Sequence, residues 1–272
     1  MVAILLSTYN GEKYLRQQLD SLFCQTFNDF ILYIRDDGSS DSTVDILLEY
    51  EKKYANIVIF SDIENNKGAC MSFIWLLKRV EADYYMFCDQ DDVWFPSKVQ
   101  FTLDAINFEE YRSPNVATLV HTDLIVTNNT LDIISKSLWG NDNTNPLKIT
   151  RKYLRLVNYI TGCTMLFNRK ARDLAIMDTK HILMHDFWIG ICVDSSNGII
   201  ISLPIPTIYY RQHSNNTIGA SVKKYRFSRL HRYFHMPNFR YSYSLYNMIK
   251  SKYNISLIEY LILRLKFYFF AG

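Results

Sequence analysis

Asp89-Gln90-Asp91-Asp92 places three carboxylates within four residues. That much like charge in one place is costly unless a cation neutralises it. A hard divalent ion with oxygen ligands does so, and Mg²⁺ keeps positions open for the phosphates of a substrate. Mn²⁺ suits the same donors. The plain alternative is a solvated loop that caps the following helix, as aspartates often do. Two more polar clusters, Ser7-Thr8-Tyr9 and Asp36-Asp37-Gly38-Ser39-Ser40-Asp41, share the setting of the first. All three come at the end of a short apolar run: Val2 to Ser7, Phe30 to Ile34, and Tyr84 to Cys88. Runs of this length between turn residues read as buried strands.

Helical patterns separate the strands. Asn10 is placed to cap a helix carrying Leu15, Leu19 and Leu22 on one face. Asp41 or Ser42 begins a second helix, to about Tyr54, and Ile57 to Phe60 is a third strand. Asn65-Asn66-Lys67-Gly68 turns into a helix with Phe73, Leu76, Leu77 and Val80. Pro96 fits the first turn of a helix to about Glu109, and Val116 to His121 and Leu124 to Val126 continue the alternation. Strand–helix alternation at this spacing predicts an α/β fold, a doubly wound, mostly parallel sheet flanked by helices with right-handed crossovers. Such sheets bind ligands beyond the carboxyl ends of their strands, where the three polar clusters fall.

The second half is less regular. Asn128 to Lys152 is polar, with a loop at Asn141-Asp142-Asn143-Thr144-Asn145-Pro146. Tyr159 to Phe167 reads as a strand interrupted by Gly162, with a helix following to about Met177. His185-Asp186-Phe187-Trp188 begins another helix, and Ile199 to Leu203 and Thr207 to Tyr210 are short strands. From Ser221 to Gly272 the chain is basic, aromatic and expected to be helical.

Composition narrows the class. Of 272 residues, 49% are apolar and 21% charged, which suits a folded globular chain. The net charge of +3 hides an asymmetry: from Ser221 onward there are ten Lys and Arg against the one acid Glu259. That imbalance calls for an anionic partner. The basic aromatic tail fits the surface of an anionic membrane, or a helical flap with a solvated basic face. No RNA-binding motif is visible, so nucleic acid is not expected as a partner. The five cysteines, Cys24, Cys70, Cys88, Cys163 and Cys192, have neither disulfide nor zinc spacing, and most read as buried thiols of a reducing compartment. Met1 leads straight into an apolar strand with no basic stretch before it, unlike a signal peptide. No apolar run reaches the ~18 residues of a membrane span. A cytoplasmic chain is expected, peripheral on the inner face of the plasma membrane if the tail binds lipid.

In order along the chain, Ser7-Thr8-Tyr9-Asn10-Gly11, Gln25-Thr26-Phe27, Asp36 to Thr43, Asn66-Lys67-Gly68 and Asp89-Gln90-Asp91-Asp92-Val93-Trp94 resemble family 2 of the glycosyltransferases. Together with His121-Thr122-Asp123 and Thr161 to Asn168, they are similar to its bacterial rhamnosyltransferase and hexosyltransferase branch. The resemblance implies a GT-A type fold. It implies a catalytic domain over residues 1–220, with a nucleotide-sugar-binding half at 1–127 and an acceptor-binding half at 128–220. Residues 221–272 are then a basic helical extension.

The resemblance also implies roles. Ser7, Thr8 and Tyr9 sit where the family holds the nucleotide base, and Asp37 matches the aspartate that accepts the N3–H of uracil or thymine, with Asp36 beside it. Glu12 joins this set, or serves as a first-turn acid favoured by the helix dipole. Asp89 and Gln90 face ribose or diphosphate. Asp91 matches the principal metal carboxylate and Asp92 adjoins it; either can reach an Mn²⁺ or Mg²⁺ ion. In Tyr210-Arg211-Gln212-His213, His213 matches a further metal ligand and Arg211 a phosphate partner.

Transfer with inversion needs one general base to take the proton of the acceptor hydroxyl. It does not need the carboxylate pair of glycoside hydrolysis. Asp186 matches that base, with His185 as a rival and Asp123 and Asp194 as weaker candidates. The expected donor is a UDP- or dTDP-sugar. The expected acceptor is a lipid-linked saccharide of a bacterial surface polysaccharide. Two other classes share an acidic rim: a metal-dependent phosphoester hydrolase or nucleotidyltransferase, and a nucleotide-sugar binding protein without catalysis.

Overall fold

The structure is a computed structural model that describes residues 1–61, 67–140, 145–213 and 239–270. Asn65, Asn66, the loop centre Asn141–Thr144, Ser214-Asn215-Asn216 and the first part of the basic tail lie outside the described residues.

β1 (Val2–Thr8) lies at the centre of a parallel unit. It pairs with β2 (Phe30–Asp36) on one side and β4 (Tyr84–Cys88) on the other, while β3 (Ile57–Phe60) pairs with β2. Alternate residues of β1 enter opposite cores. Val2, Ile4 and Leu6 pack with Leu15, Leu19 and Leu22 of α1 (Glu12–Phe23) and Ile46 and Leu47 of α2 (Thr43–Lys53). Ala3 and Leu5 pack with Phe73, Leu76 and Leu77 of α3 (Gly68–Arg79). Helices on both faces leave β1 no solvent side, which explains its unbroken apolar run.

Beyond β4 the sheet becomes mixed. β8 (Met165–Asn168) runs antiparallel to β4 and to β6 (Thr118–Thr127); β9 (Ile199–Arg211) runs parallel to β6 and antiparallel to β5 (Val93–Trp94). The path is β3-β2-β1-β4-β8-β6-β9-β5, with β7 (Ile133–Ser135) on the edge of β6. The parallel, doubly wound expectation therefore describes the first four strands, and antiparallel pairs close the second half. α4 (Lys98–Arg112), α5 (Arg169–Ile176) and α6 (His185–Ser195) complete the body, followed by α7 (Phe239–Lys250) and α8 (Leu257–Phe270).

Several element readings change. The expected strand from Tyr159 to Phe167 shrinks to β8, because Gly162 to Thr164 winds into a 3-10 turn. The pairs expected at 116–121 with 124–126, and at 199–203 with 207–210, are each one long strand, and their register shifts near Thr122 and Asp123. Asn10 does not cap α1. It takes a left-handed φ of 47°, and Gly11 is the N-cap. The loop after β2 satisfies the first amides instead: Asn10 N–H donates to Ser39 Oγ, Gly11 N–H to Thr43 Oγ1 and Glu12 N–H to Asp41 Oδ2. Pro96 precedes α4, whose N-cap is Ser97.

Candidate active site

The tips of β1 and β2 are locked together. Thr8 Oγ1 donates to Asp36 Oδ1 at 2.7 Å, as does Ser39 Oγ at 2.6 Å. Asp36 Oδ2 accepts the amides of Gly38 and Ser39. Gly38 has a φ of 91°, the left-handed turn its lack of a side chain permits. Asp37 is buried. Its Oδ1 accepts Arg35 Nη1 at 2.6 Å and the Lys67 amide, and its Oδ2 accepts the Gly68 amide at the start of α3. Arg35, itself fully buried, also donates to Ser72 Oγ. Three donors already share the four acceptor sites of Asp37, so a nucleobase N–H would take the one left. Ser7 is partly buried, and Tyr9 is half exposed beside these groups.

Gln90 ties the tip of β1 to that of β4. Its Oε1 accepts the Tyr9 amide and its Nε2 donates to the Tyr9 carbonyl, both at 2.9 Å. The side chain lies across Gly11, where an added Cβ would come within 2.3 Å of Gln90 Oε1. Glu12 accepts the Ser42 amide with its Oε2. Gln90 and Glu12, expected at the nucleotide, are thus occupied with holding two loops.

The acidic loop is short of donors. Asp92 is fully buried; its Oδ1 accepts the Arg211 amide at 3.1 Å, and its Oδ2 has no partner among the described residues. Ligand atoms of Asp89, Asp92 and Cys163 lie within 4.8 Å of one another. Burial, then the charges of Asp91 and Asp186, pushes Asp89 up to about 7. Burial, then Asp91 and Asp89, pushes Asp92 well above the usual carboxylate range. Asp91 sits at the rim, where its Oδ2 meets His213 Nε2 at 2.7 Å. Both are slightly exposed, at 14% and 13%. The structure thus joins the two expected metal ligands Asp91 and His213, and puts Asp92 beneath them. Crowded carboxylates short of donors, with an imidazole at the rim, fit a hard divalent cation.

Arg211 carries this loop from below. It is buried, with Nε donating to the Asp91 carbonyl, Nη1 to the Asn129 carbonyl and Nη2 to Gln17 Oε1, and its guanidinium lies 4.5 Å over the Tyr14 ring. Expected at a phosphate, it is placed as a strut. Trp94 is buried, as packing beneath the loop requires.

Asp186 opens α6, where the helix dipole favours a carboxylate. It is buried, with Oδ2 accepting the Gly162 amide at 3.1 Å and Oδ1 accepting the Phe187 amide at 2.6 Å. Burial pushes it up to about 6; those amides and Asn158 limit the rise. Gly162, which it holds, precedes Cys163, whose sulfur lies within 4.8 Å of the Asp89 and Asp92 ligand atoms, so the start of α6 and the acidic loop border one site. His185 packs its ring 4.4 Å from Phe73 and 4.7 Å from Phe87, and burial pushes it down to about 3. It is a neutral core group and a poor rival base. Asp123 accepts the Leu124, Leu138 and Trp139 amides, and Asp194 pairs with Arg151. Both hold loops.

Sequence reasoning missed the support. Gln25 donates from Nε2 to the Phe95 carbonyl and accepts the Val99 amide, fixing the start of α4 against α1. The Gln25-Thr26 motif was visible, but its contact is 70 residues away along the chain. Lys98 is fully buried beneath the loop, with Nζ unpartnered among the described residues and 4.4 Å over the Trp94 ring. Burial pushes it down to about 8. A lysine two residues after a proline gives no sign of that depth.

Known proteins resemble this chain in sequence and in fold. The model described as glycosyl transferase family 2 matches residues 3–174. A dTDP-rhamnosyl transferase of Shigella flexneri, RfbG, is 27% identical over 241 residues, covering 83% of this chain and 78% of that protein. A poly(ribitol-phosphate) beta-glucosyltransferase of Bacillus spizizenii is 36% identical over 93 residues, 34% of this chain and 15% of that one. Among solved structures, Staphylococcus aureus TarS 1-349 in complex with UDP-GlcNAc superposes with a TM-score of 0.57 at 17% identity, covering 97% of this chain and 76% of that one. The mannosyltransferase PcManGT of Pyrobaculum calidifontis, in complex with GDP-Man and Mn²⁺, gives 0.59 at 15% identity, covering 79% and 58%. At such identity the structures speak for the fold alone.

Proposed function

Because this chain belongs to glycosyl transferase family 2 and has the GT-A fold, we propose that it moves a sugar from a UDP- or dTDP-sugar to a saccharide hydroxyl with inversion. The acceptor in this reading is lipid-linked and belongs to a bacterial surface polysaccharide. The observation that carries the mechanism is Asp186: a buried carboxyl, held by two backbone amides at a helix start, bordering the acidic loop. A base is most effective when its pKa lies near working pH, and Asp186 is pushed up to about 6. It takes the acceptor hydroxyl proton as that oxygen attacks the anomeric carbon from the face opposite the diphosphate.

The donor end is built from strand tips. Tyr9 offers a half-exposed ring to stack on the base, with Ser7 and Thr8 behind it and Asp37 as the remaining acceptor for a pyrimidine N–H. Asp91 and His213 would hold the divalent ion, Mn²⁺ or Mg²⁺, with Asp89 nearby. When bound, such an ion offsets the negative charge that builds on the leaving diphosphate. Arg211, Gln90 and Glu12 keep these groups in place, and Asp92, with its unpartnered Oδ2 beneath them, is the further carboxylate such an ion would neutralise. The relatives support this reading of the donor: one is named for a dTDP-sugar, and TarS is solved with UDP-GlcNAc.

A panel of nucleotide sugars, assayed for free nucleoside diphosphate with and without Mn²⁺, tests the reading. The Asp186→Asn variant should bind donor as the parent does and turn over about 10²- to 10⁴-fold more slowly. Undiminished turnover by that variant removes Asp186 as the base. Inorganic phosphate or pyrophosphate as the product removes sugar transfer and favours a hydrolase or nucleotidyltransferase.

A further inference from the structure

α7 and α8 are fastened to the catalytic body by their inner faces. Leu245, Tyr246, Met248 and Ile249 of α7 join the core that contains α3 and α6. In α8, Tyr260 is buried with its ring 5.3 Å from Tyr246, and Phe267 packs 5.1 Å from Tyr153. The opposite side of α8 is also apolar. Leu257, Ile258, Leu261, Ile262 and Leu265 recur at spacings that gather them on one face, and each is between 46% and 70% exposed. Five aliphatic side chains on one exposed helix face amount to a contiguous patch of the kind that marks an interaction surface.

The charge around the patch selects its partner. By helical position Lys266 flanks the stripe on one side and Arg264 on the other. Between Arg240 and Lys266 the described residues carry Arg240, Lys250, Lys252, Arg264 and Lys266 against the single acid Glu259, whose carboxylate is occupied by the Ser256 amide and hydroxyl. A second copy meeting this face about a two-fold axis would set like basic flanks together, which opposes pairing. An anionic bilayer answers both features, taking the aliphatic side chains at its interface and the cations at its head groups. No helix among the described residues is long and apolar enough to cross a membrane, so the contact would be one of lying on the surface.

We propose that the outward face of α8 docks this protein on an anionic phospholipid surface, through Leu257, Ile258, Leu261, Ile262 and Leu265 with Lys266 at the edge. The proposal rests on the lipid-linked acceptor reading for its purpose. The helix is tied through α7 to the element that carries Asp186: Leu245 and Met248 share a core with Phe187 and Trp188 of α6. Docking there would hold the acceptor side of the site against the layer that carries the acceptor's lipid.

The test is co-sedimentation of the full chain with vesicles of phosphatidylcholine alone and of phosphatidylcholine mixed with phosphatidylglycerol. The parent should pellet with the anionic vesicles and release as salt rises. Ile258→Ser with Leu261→Ser should weaken vesicle binding about tenfold or more while leaving the melting temperature unchanged. Equal binding by parent and double variant, or no binding of the parent to anionic vesicles, overturns the proposal. So does a concentration-dependent dimer that the double variant splits, since the face would then belong to a second copy. Binding is read without donor or acceptor, so its failure leaves sugar transfer standing, and failed nucleotide release leaves docking standing.

Discussion

The loops after β2 and β4 are both acidic and both follow parallel strands, yet they treat their carboxylates in opposite ways. In the first, Asp36 accepts four hydrogen bonds and Asp37 three, from amides, hydroxyls and a buried guanidinium. In the second, one oxygen of Asp92 has no partner among the described residues, and Asp89 and Asp92 are both pushed upward by burial and by the charge of Asp91. Lys98 lies below them, but its Nζ sits 4.4 Å over the Trp94 ring and bonds to none of these oxygens among the described residues. The first loop is a finished scaffold whose shape is set without a ligand. The second is electrostatically incomplete, and a divalent ion would complete it.

Asp91→Ala breaks the contrast most strongly. Turnover supported by Mn²⁺ should fall at least about a thousandfold, as read by nucleoside diphosphate release. In the parent, Mn²⁺ at about a hundred times its Kd should add about 2.7 kcal/mol of stability, and the variant should lose that gain. A parent whose melting temperature ignores Mn²⁺ would put the two loops on the same footing.

Asp37→Asn probes the finished loop. It leaves the buried Arg35 without its charged partner, which should cost about 3–5 kcal/mol in urea unfolding. A loss below about 1 kcal/mol would mean that the β2 loop is no scaffold.

The smallest effect sharpens the contrast through pH. The folded chain keeps a proton on Asp186 up to about 6, while the unfolded chain releases it near 3.8. Between those values the folded form binds the extra proton, so stability is greatest below the lower pKa and falls as pH rises through about 6. This one group should account for about 3 kcal/mol. In Asp186→Asn that part of the slope should vanish from unfolding curves across the same window. An unchanged slope would assign the titration elsewhere. In the parent, activity should rise over the same range as Asp186, the proposed base, loses its proton.

How far the residues alone reveal the fold depends on the range of the interactions. The first four strands and their helices were legible because each β–α unit closes locally, with an apolar run, a turn and a helical stripe. The rim residues were legible because strand tips are where such sheets carry ligands. β8 and the unbroken β9 were not, since both depend on pairing with β6, far away in sequence, and Gly162 breaks the apolar run for a reason seen only in space. An added Cβ there would come within 2.7 Å of His185 Nε2. The same limit applies to Gln90 and Arg211. Their residue types suit a ligand, but their hydrogen bonds go to Tyr9 and the Asp91 carbonyl. A buried cation such as Lys98 carries no local signature at all.

β9 shows where this architecture can change length. Between Leu203 and Pro206 it advances three residues while β6 advances one, from Thr122 to Asp123; from Pro206 to Tyr209 it advances three against two, and it is in step from Tyr209 to Arg211. Slack in the strand therefore sits around its two prolines, ahead of the part that meets the acidic loop. Insertions or deletions accumulating through descent can settle at 204–208 without disturbing the remainder of the strand. One residue gained or lost after Tyr209 would turn Arg211 to the other face of the sheet and withdraw the strut from under Asp91. Lineages that keep the chemistry should vary in length before that point and hold it constant after.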